Sequence, residues 1–347
     1  MVHTEANRHI TVVVTGCNGY IGSNLTKSLC ELGFNVRGTV RSLKELRKIK
    51  HMRNLCTRNP PILYTADLNT KGSFEKAFTG ADYVMHTASP FFNHRRVKSA
   101  EKEIIGPAVN GTLDIMEEAH KAGVKRLVLT SSGQAIIDAS NPPVNGKIYS
   151  EQDWNENTLP SYARSKVLAE RAAWDFSKRH VDKPELVSIL PGFCIGPPVS
   201  SRTDSESISI ISNLLNGRMK YGSPPHHMGY VDVRDVVNAH IEAMLRPVAK
   251  NNRYLCQLTS QYTFLELSDL LREESDYFQH FSLPTKYLAY TKPPVQSKRY
   301  HVNITKIEKE LGITLRPVVD SLIDMANALV EYGIVKPPAS NKSKSRL

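Results

Sequence analysis

The chain has 347 residues, 40% of them apolar, which suits one large α/β unit with a smaller attached part. Its net charge is +11, from 45 basic and 34 acidic residues. The bases gather over residues 41–58, where Arg41, Lys44, Arg47, Lys48, Lys50, Arg53 and Arg58 stand against the single acid Glu45, and in a tail with Lys342, Lys344 and Arg346. Neither stretch interleaves bases with aromatics, so nucleic acid is not the expected partner. No run reaches the roughly 18–20 apolar residues of a membrane span. The opening MVHTEANRHI has no signal-peptide core. Five scattered cysteines with no CxxC pair point to a reducing compartment and to no metal.

Strand and helix patterns alternate from the start. Residues 10–15 are a continuous β-branched run, expected to be a buried parallel strand. The glycine-rich stretch 16–22 follows. Leu25, Leu29 and Leu32 then recur at helical spacing up to Gly33. Further strands are expected at 35–40, 62–65, 83–86, 126–131 and 185–190, with an apolar-striped helix over 104–119 and another over 162–179. This alternation predicts a doubly wound parallel sheet of the Rossmann kind. After Pro191, Pro, Gly and Ser become frequent. Residues 1–196 are therefore expected to bind a dinucleotide, with 229–246 returning to that part. Residues 197–335 are expected to form mainly a substrate-binding part, and 336–347 a disordered tail.

Thr15-Gly16-Cys17-Asn18-Gly19-Tyr20-Ile21-Gly22 joins the first strand to the first helix. Glycines there let backbone approach a pyrophosphate, which the helix N-terminus attracts. NAD enzymes place an acid after the second strand. Here residues 35–44 hold no acid and three cations, Arg37, Arg41 and Lys44. Cations suit a 2′-phosphate, so NADP(H) is expected, with Arg41 favoured over Arg37; a solvated basic loop is the competing reading. Asp67 and Leu68 follow the third strand. The Asp67 carboxylate either accepts from an adenine amine or caps a turn. Thr87-Ala88-Ser89 follow the fourth strand, small enough to let a cofactor lie close.

Tyr162 and Lys166 sit at i and i+4 on one helix face. A phenol titrates near pH 10, and an ammonium beside it is expected to lower that value, making a usable general acid. Ser131 and Ser132 end the fifth strand, where ligands meet open α/β sheets. His226-His227 lack further ligands at metal spacing and read as loop histidines. Asp232 and Asp235 read as helix caps, and Trp154 and Trp174 as packing.

The set TGCNGYIG, TSS, YARSK, PGFCIGP and YVDVRDV, with VRGTVR and ADYVMHTASPF, resembles the extended short-chain dehydrogenase/reductases. It most resembles the plant dihydroflavonol reductase and cinnamoyl-CoA reductase group, which includes yeast ketone and methylglyoxal reductases. The resemblance covers about residues 10–245 well. It implies NADPH and reduction of a small-molecule carbonyl by Ser132, Tyr162 and Lys166, with Lys166 also holding the nicotinamide ribose. It places Arg41 and Lys48 at the 2′-phosphate and Pro191 and Cys194 beside the nicotinamide. It also suggests a water relay from Asn110 to Lys166, although a plain helix-face Asn reads equally well. The sequence departs from the plant pattern after Ser132, at Gly133-Gln134-Ala135, which leaves a flavonoid substrate open. Three alternatives stand: a 3β-hydroxysteroid dehydrogenase, a sugar-nucleotide epimerase, and a non-catalytic NADP(H) sensor. The basic stretch argues against the epimerase, and the retained Tyr and Lys argue against the sensor. Ser345-Arg346-Leu347 varies the peroxisomal address Ser-Lys-Leu. An import receptor and a peroxisomal or glycosomal location are expected from it, with cytoplasm otherwise. Monomer and homodimer are both compatible with the sequence.

Overall fold

The structure, a computed structural model, describes residues 5–57, 59–89, 99–138, 146–157, 161–182, 184–288 and 299–338. The strands are β1 (Thr11–Thr15), β2 (Asn35–Val40), β3 (Ile62–Thr65), β4 (Tyr83–His86), β5 (Arg126–Thr130), β6 (Ile148–Tyr149), β7 (Glu185–Pro191), β8 (Phe193–Ile195), β9 (Met228–Asp232), β10 (Arg253–Cys256), β11 (Gln261–Tyr262) and β12 (His301–Val302). The α-helices are α1 (Tyr20–Glu31), α2 (Leu46–Ile49), α3 (Glu75–Phe78), α4 (Gly106–Lys121), α5 (Ser161–Arg179), α6 (Glu206–Leu215), α7 (Val233–Leu245), α8 (Phe264–Glu274), α9 (Thr305–Leu311) and α10 (Val318–Glu331).

Seven strands pair in the order β10-β7-β5-β4-β1-β2-β3, every pair parallel. β1 is buried at every residue, because its β-branched side chains pack helices on both faces of the sheet. α1 supplies Leu25 and Leu29 to that core. It ends where Gly33 turns left-handed at φ +89, letting Phe34 N–H donate to Leu29 O. From β1 the chain winds outward through β2 and β3, then crosses back to β4. The order therefore reverses between β1 and β4, where a crevice opens at the strands' carboxyl ends.

The C-terminal half divides differently from expectation. β9, within the anticipated return segment 229–246, pairs instead with β8 and β11 in a separate three-stranded sheet. α7 does pack the main core through Val236, Val237 and Ile241. The strand that rejoins the main sheet is β10, beyond the anticipated end, and α9 adds Ile307 and Leu311 to the same core. Arg126 pins this arrangement. Its guanidinium pairs with Glu185 and donates to the carbonyls of Ala243, Met244 and Arg246 at the end of α7. A second core gathers α6, α8 and α10 around Ile211, Leu214, Tyr230, Leu267 and Met325. α8 starts with a reciprocal cap between Thr263 and Glu266. Cys17, Cys30, Cys194 and Cys256 are buried, and Cys56 is half-buried.

Candidate active site

The glycine turn is built by close approach. Gly16 has φ +63, and a methyl group on it would stand 2.9 Å from Ala88 Cα. A methyl on Gly22 would stand 2.4 Å from Gly16 O and 2.8 Å from Thr87 Oγ1. Neither position accepts a side chain. The two β-strand ends are also stitched together: Thr87 Oγ1 donates to Thr15 O at 2.6 Å, Ala88 N donates to Thr15 Oγ1, and Thr15 Oγ1 meets His86 Nδ1 at 2.8 Å. Gly19 caps α1 without a side-chain bond, and the first turn of α1 holds no acid. The helix N–H groups thus face an uncrowded crevice suited to an anion. Tyr20 donates its hydroxyl to Gly196 O at 2.7 Å, joining the turn to the segment after β8. Ile21 packs partly buried against the core.

The basic stretch sorts itself by contact. Arg37 is spent on structure, donating to Ala77 O and Thr79 O at the end of α3. Arg41, just past β2, is exposed. Lys48 pairs with Glu45 at the rim, and its carbonyl accepts from Asn18 Nδ2 at 3.4 Å. An unanticipated residue joins them. Arg202 Nη1 donates to the carbonyls of Asn18 and Lys48, while Asp204 holds the other edge of the guanidinium. Arg202 lies in an irregular stretch with no periodicity to announce it. Asp67 accepts from Asn69 N–H at 2.9 Å, the turn-capping alternative. Leu68 packs on Gly111, where a methyl would stand 3.1 Å from Leu68 Cβ. Ser89 is exposed beyond Ala88 at the crevice.

Across the crevice stand Ser132, Tyr162 and Lys166. The geometry separates the two serines. Ser131 Oγ donates to Glu170 at 2.6 Å and is committed there. Ser132 hydrogen-bonds the Tyr162 phenol, and its Oγ accepts from Gln134 N–H at 3.2 Å. Lys166 Nζ lies 5.8 Å from the centre of the Tyr162 ring. Burial raises the Tyr162 phenol to about 12, opposed by the Ser132 hydrogen bond. The ammonium therefore does not lower this phenol below its usual range, contrary to the expectation from i, i+4 spacing. Burial also lowers Lys166 to about 8, opposed by Glu170. Near neutrality the phenol is protonated and the amine mostly charged.

Glu170 continues the face of α5 that carries Tyr162 and Lys166, at the next i+4 step. It is 1% exposed and accepts from Ser131, from Trp174 Nε1 at 3.2 Å and from Arg253 Nε at 2.8 Å. Arg253 in β10 also stacks 3.8 Å over Trp154 and donates to Glu151 O and Asp153 O. Both tryptophans thus have structural partners. One narrow cavity is lined by His86, Ala88, Thr130, Ser131, Lys166 and Glu170, among others. Asn110 is exposed on α4 and is not among its lining residues. Pro191 ends β7 with its carbonyl beside Gly133, and Cys194 in β8 is buried near Tyr162. Asp232 caps α7 by accepting from Arg234 N–H at 2.7 Å, and Asp235 accepts from Arg316 N–H at 2.7 Å.

Residues 12–256 match the NAD dependent epimerase/dehydratase family. The chain belongs to that family. Within this family it is similar to cinnamoyl-CoA reductase 1 of Petunia hybrida, 34% identical over 94% of each chain. It is similar also to dihydroflavonol 4-reductase of Dianthus caryophyllus, 30% identical over 92% of this chain and 87% of the relative. Among solved structures it is similar to Gre2 of Candida albicans in complex with NADPH, with TM-score 0.78, 30% identity, and coverage of 93% of this chain and 99% of that one. The plant reductase group that the motifs resembled is thus the group its relatives come from.

The steric reading of the turn is directly testable. Gly22→Ala should weaken dinucleotide binding at least about tenfold, read by fluorescence titration, because the new methyl displaces backbone rather than a flexible side chain. Unchanged affinity would mean that the turn is not the phosphate cradle.

Proposed function

We propose that this chain reduces an aldehyde or ketone group of a small molecule with NADPH, using Ser132, Tyr162 and Lys166. The observation that carries the reading is a serine hydrogen-bonded to the Tyr162 phenol with a half-buried lysine beside it, in a fold whose first strand–helix turn leaves no room for a side chain at Gly16 or Gly22. The chain is an NADP-dependent oxidoreductase acting on carbonyl groups, in keeping with the reductases it resembles and with the NADPH in the Candida albicans Gre2 complex.

The residues present fit the cofactor. The α1 N-terminus and the Gly16–Gly22 backbone would receive its pyrophosphate. Arg41 at the rim, with Lys48 beside it, would meet the 2′-phosphate, next to a segment that Arg202 holds through the Asn18 and Lys48 carbonyls. Thr87 and Ala88 leave room for it to cross toward Pro191 and Cys194. When bound, NADPH supplies the hydride that reaches the carbonyl carbon.

The protein's own groups handle the oxygen and the proton. Ser132 Oγ accepts from Gln134 N–H and hydrogen-bonds the Tyr162 phenol, and a substrate oxygen placed between the two hydroxyls would take over the serine's hydrogen. As that oxygen gains electrons it becomes far more basic than a phenolate. A phenol held near 12 then transfers its proton readily, and the product leaves as the alcohol. Lys166 holds positive charge beside the phenolate left behind and favours its formation.

Two outcomes test this. Tyr162→Phe should lower kcat by roughly 10²–10⁴-fold and leave the NADPH dissociation constant within about twofold. Equal turnover by the variant would refute the proton-donor role.

The Lys166 cation is present below about pH 8 and is lost above it. Consequently kcat/KM, which reports the free enzyme, should hold level at neutrality and fall about tenfold per unit at higher pH. Tyr162 stays protonated throughout that range. A flat profile to pH 10 would remove the requirement for the charged amine.

The terminal Ser345-Arg346-Leu347 lies outside the described residues. We assign to it delivery to peroxisomes or glycosomes through their import receptor. A fluorescent protein ending in residues 339–347 should collect in those organelles, and one lacking the last three residues should not. Diffuse fluorescence from the intact tail would leave the cytoplasm as the location.

A further inference from the structure

Gln257, the residue after β10, is met by three glycines from three different segments. A methyl on Gly133, immediately after Ser132, would stand 3.0 Å from Gln257 Oε1. On Gly229 in β9 it would stand 2.6 Å from Nε2 and 2.7 Å from Cδ. On Gly192 it would stand 2.5 Å from Gly229 O and 2.7 Å from Gln257 Cβ. None of these three glycines has positive φ, so their backbones do not demand glycine. Space does. Gln257 is 2% exposed, and its carboxamide is wedged between β9 and the turn that follows Ser132.

The carboxamide is held by the glycine contacts and by the Tyr300 phenol that interacts with it. The same wedge bears on a departure noted in the sequence: a methyl on Gly133 would press on the Gln257 carboxamide and stand 3.3 Å from Pro191 O. Gly192 N–H donates to Cys256 O at 3.0 Å, which holds the third wall of the wedge in register with β10.

We propose that Gln257 is a positioning residue for Ser132, backing the Ser132-Gly133 turn and setting where the serine hydroxyl stands relative to Tyr162. This rests on Ser132 orienting the substrate oxygen. Acting through the turn, Gln257 controls turnover and leaves cofactor binding alone.

The test uses the full chain and a carbonyl compound that it reduces. Gln257→Ala should lower kcat about tenfold, with the NADPH dissociation constant and the KM for the carbonyl each within about twofold. Gln257→Met refills the space without polar atoms and should keep kcat within about threefold, with Tm unchanged or raised. Gly133→Ala should lower kcat at least about tenfold, and adding Gln257→Ala to it should restore kcat to about the level of Gln257→Ala alone. Multiplying losses in the double variant would overturn the proposal. So would a Gln257→Ala protein with lowered Tm and full kcat, since that marks packing alone. If Ser132→Ala proved fully active, the assignment of Ser132 would fail instead. The Tm coupling between Gly133→Ala and Gln257→Ala would then still report the wedge by itself.

Discussion

The contact on which the site depends is the one between the ends of β1 and β4. Thr15 bonds His86, Thr87 and Ala88 through its hydroxyl and carbonyl, and Gly16 lies against Ala88 with no room for a methyl. This is where the strand order reverses. Two diverging connections leave a crevice at that point, and the tight seam gives the crevice a floor made of backbone. His86 belongs to the seam and not to the chemistry. Burial holds its imidazole near 3, so it stays neutral and bonds Thr15 at any pH the protein meets.

The opposite wall depends on Glu170. One fully buried carboxylate draws together the end of β5 through Ser131, the edge strand β10 through Arg253, and the helix that carries Tyr162 and Lys166. A buried charge is tolerated only when its oxygens are bonded, and here donors from three elements satisfy them. Removing Arg253 would leave charge uncompensated, and removing Ser131 or Trp174 would leave a buried oxygen short of a donor. Arg202 does a comparable job on the glycine-turn side, tying a loop of the C-terminal half to the carbonyls of Asn18 and Lys48. The crevice is thus held from both ends of the chain.

Much of this was legible before any coordinates. The continuous β-branched run located β1, buried at every residue, and the apolar runs located β2 to β5 and β7 to within about a residue. Ser132, Tyr162 and Lys166 were singled out from place, one just past a strand and the others opening the next long helix, and the structure brings Ser132 to the Tyr162 phenol. What escaped reading depends on partners far along the chain. β10 begins with Arg253, which looks like surface until Glu170 is known to meet it from 83 residues away. Arg202 has no local pattern at all. Gln257 resembles any polar residue after a short strand, and its meaning appears only when Gly133, Gly192 and Gly229 converge on it. Arg37 and Arg41 share a strand and its end, yet the nearby end of α3 takes the first and leaves the second at the rim. The phenol of Tyr162 shows the same limit, since spacing revealed the ammonium but not the depth of burial that outweighs it.

The buried cysteines have a chemical consequence. Oxidants attack the thiolate, not the thiol. Burial raises Cys194, beside Tyr162, to about 12, does the same to Cys30, and pushes Cys17 and Cys256 higher still. These four sulfurs therefore remain as S–H at physiological pH and climb the sulfenic and sulfinic ladder slowly. Among these four cysteines the site therefore offers an oxidant no thiolate beside Tyr162.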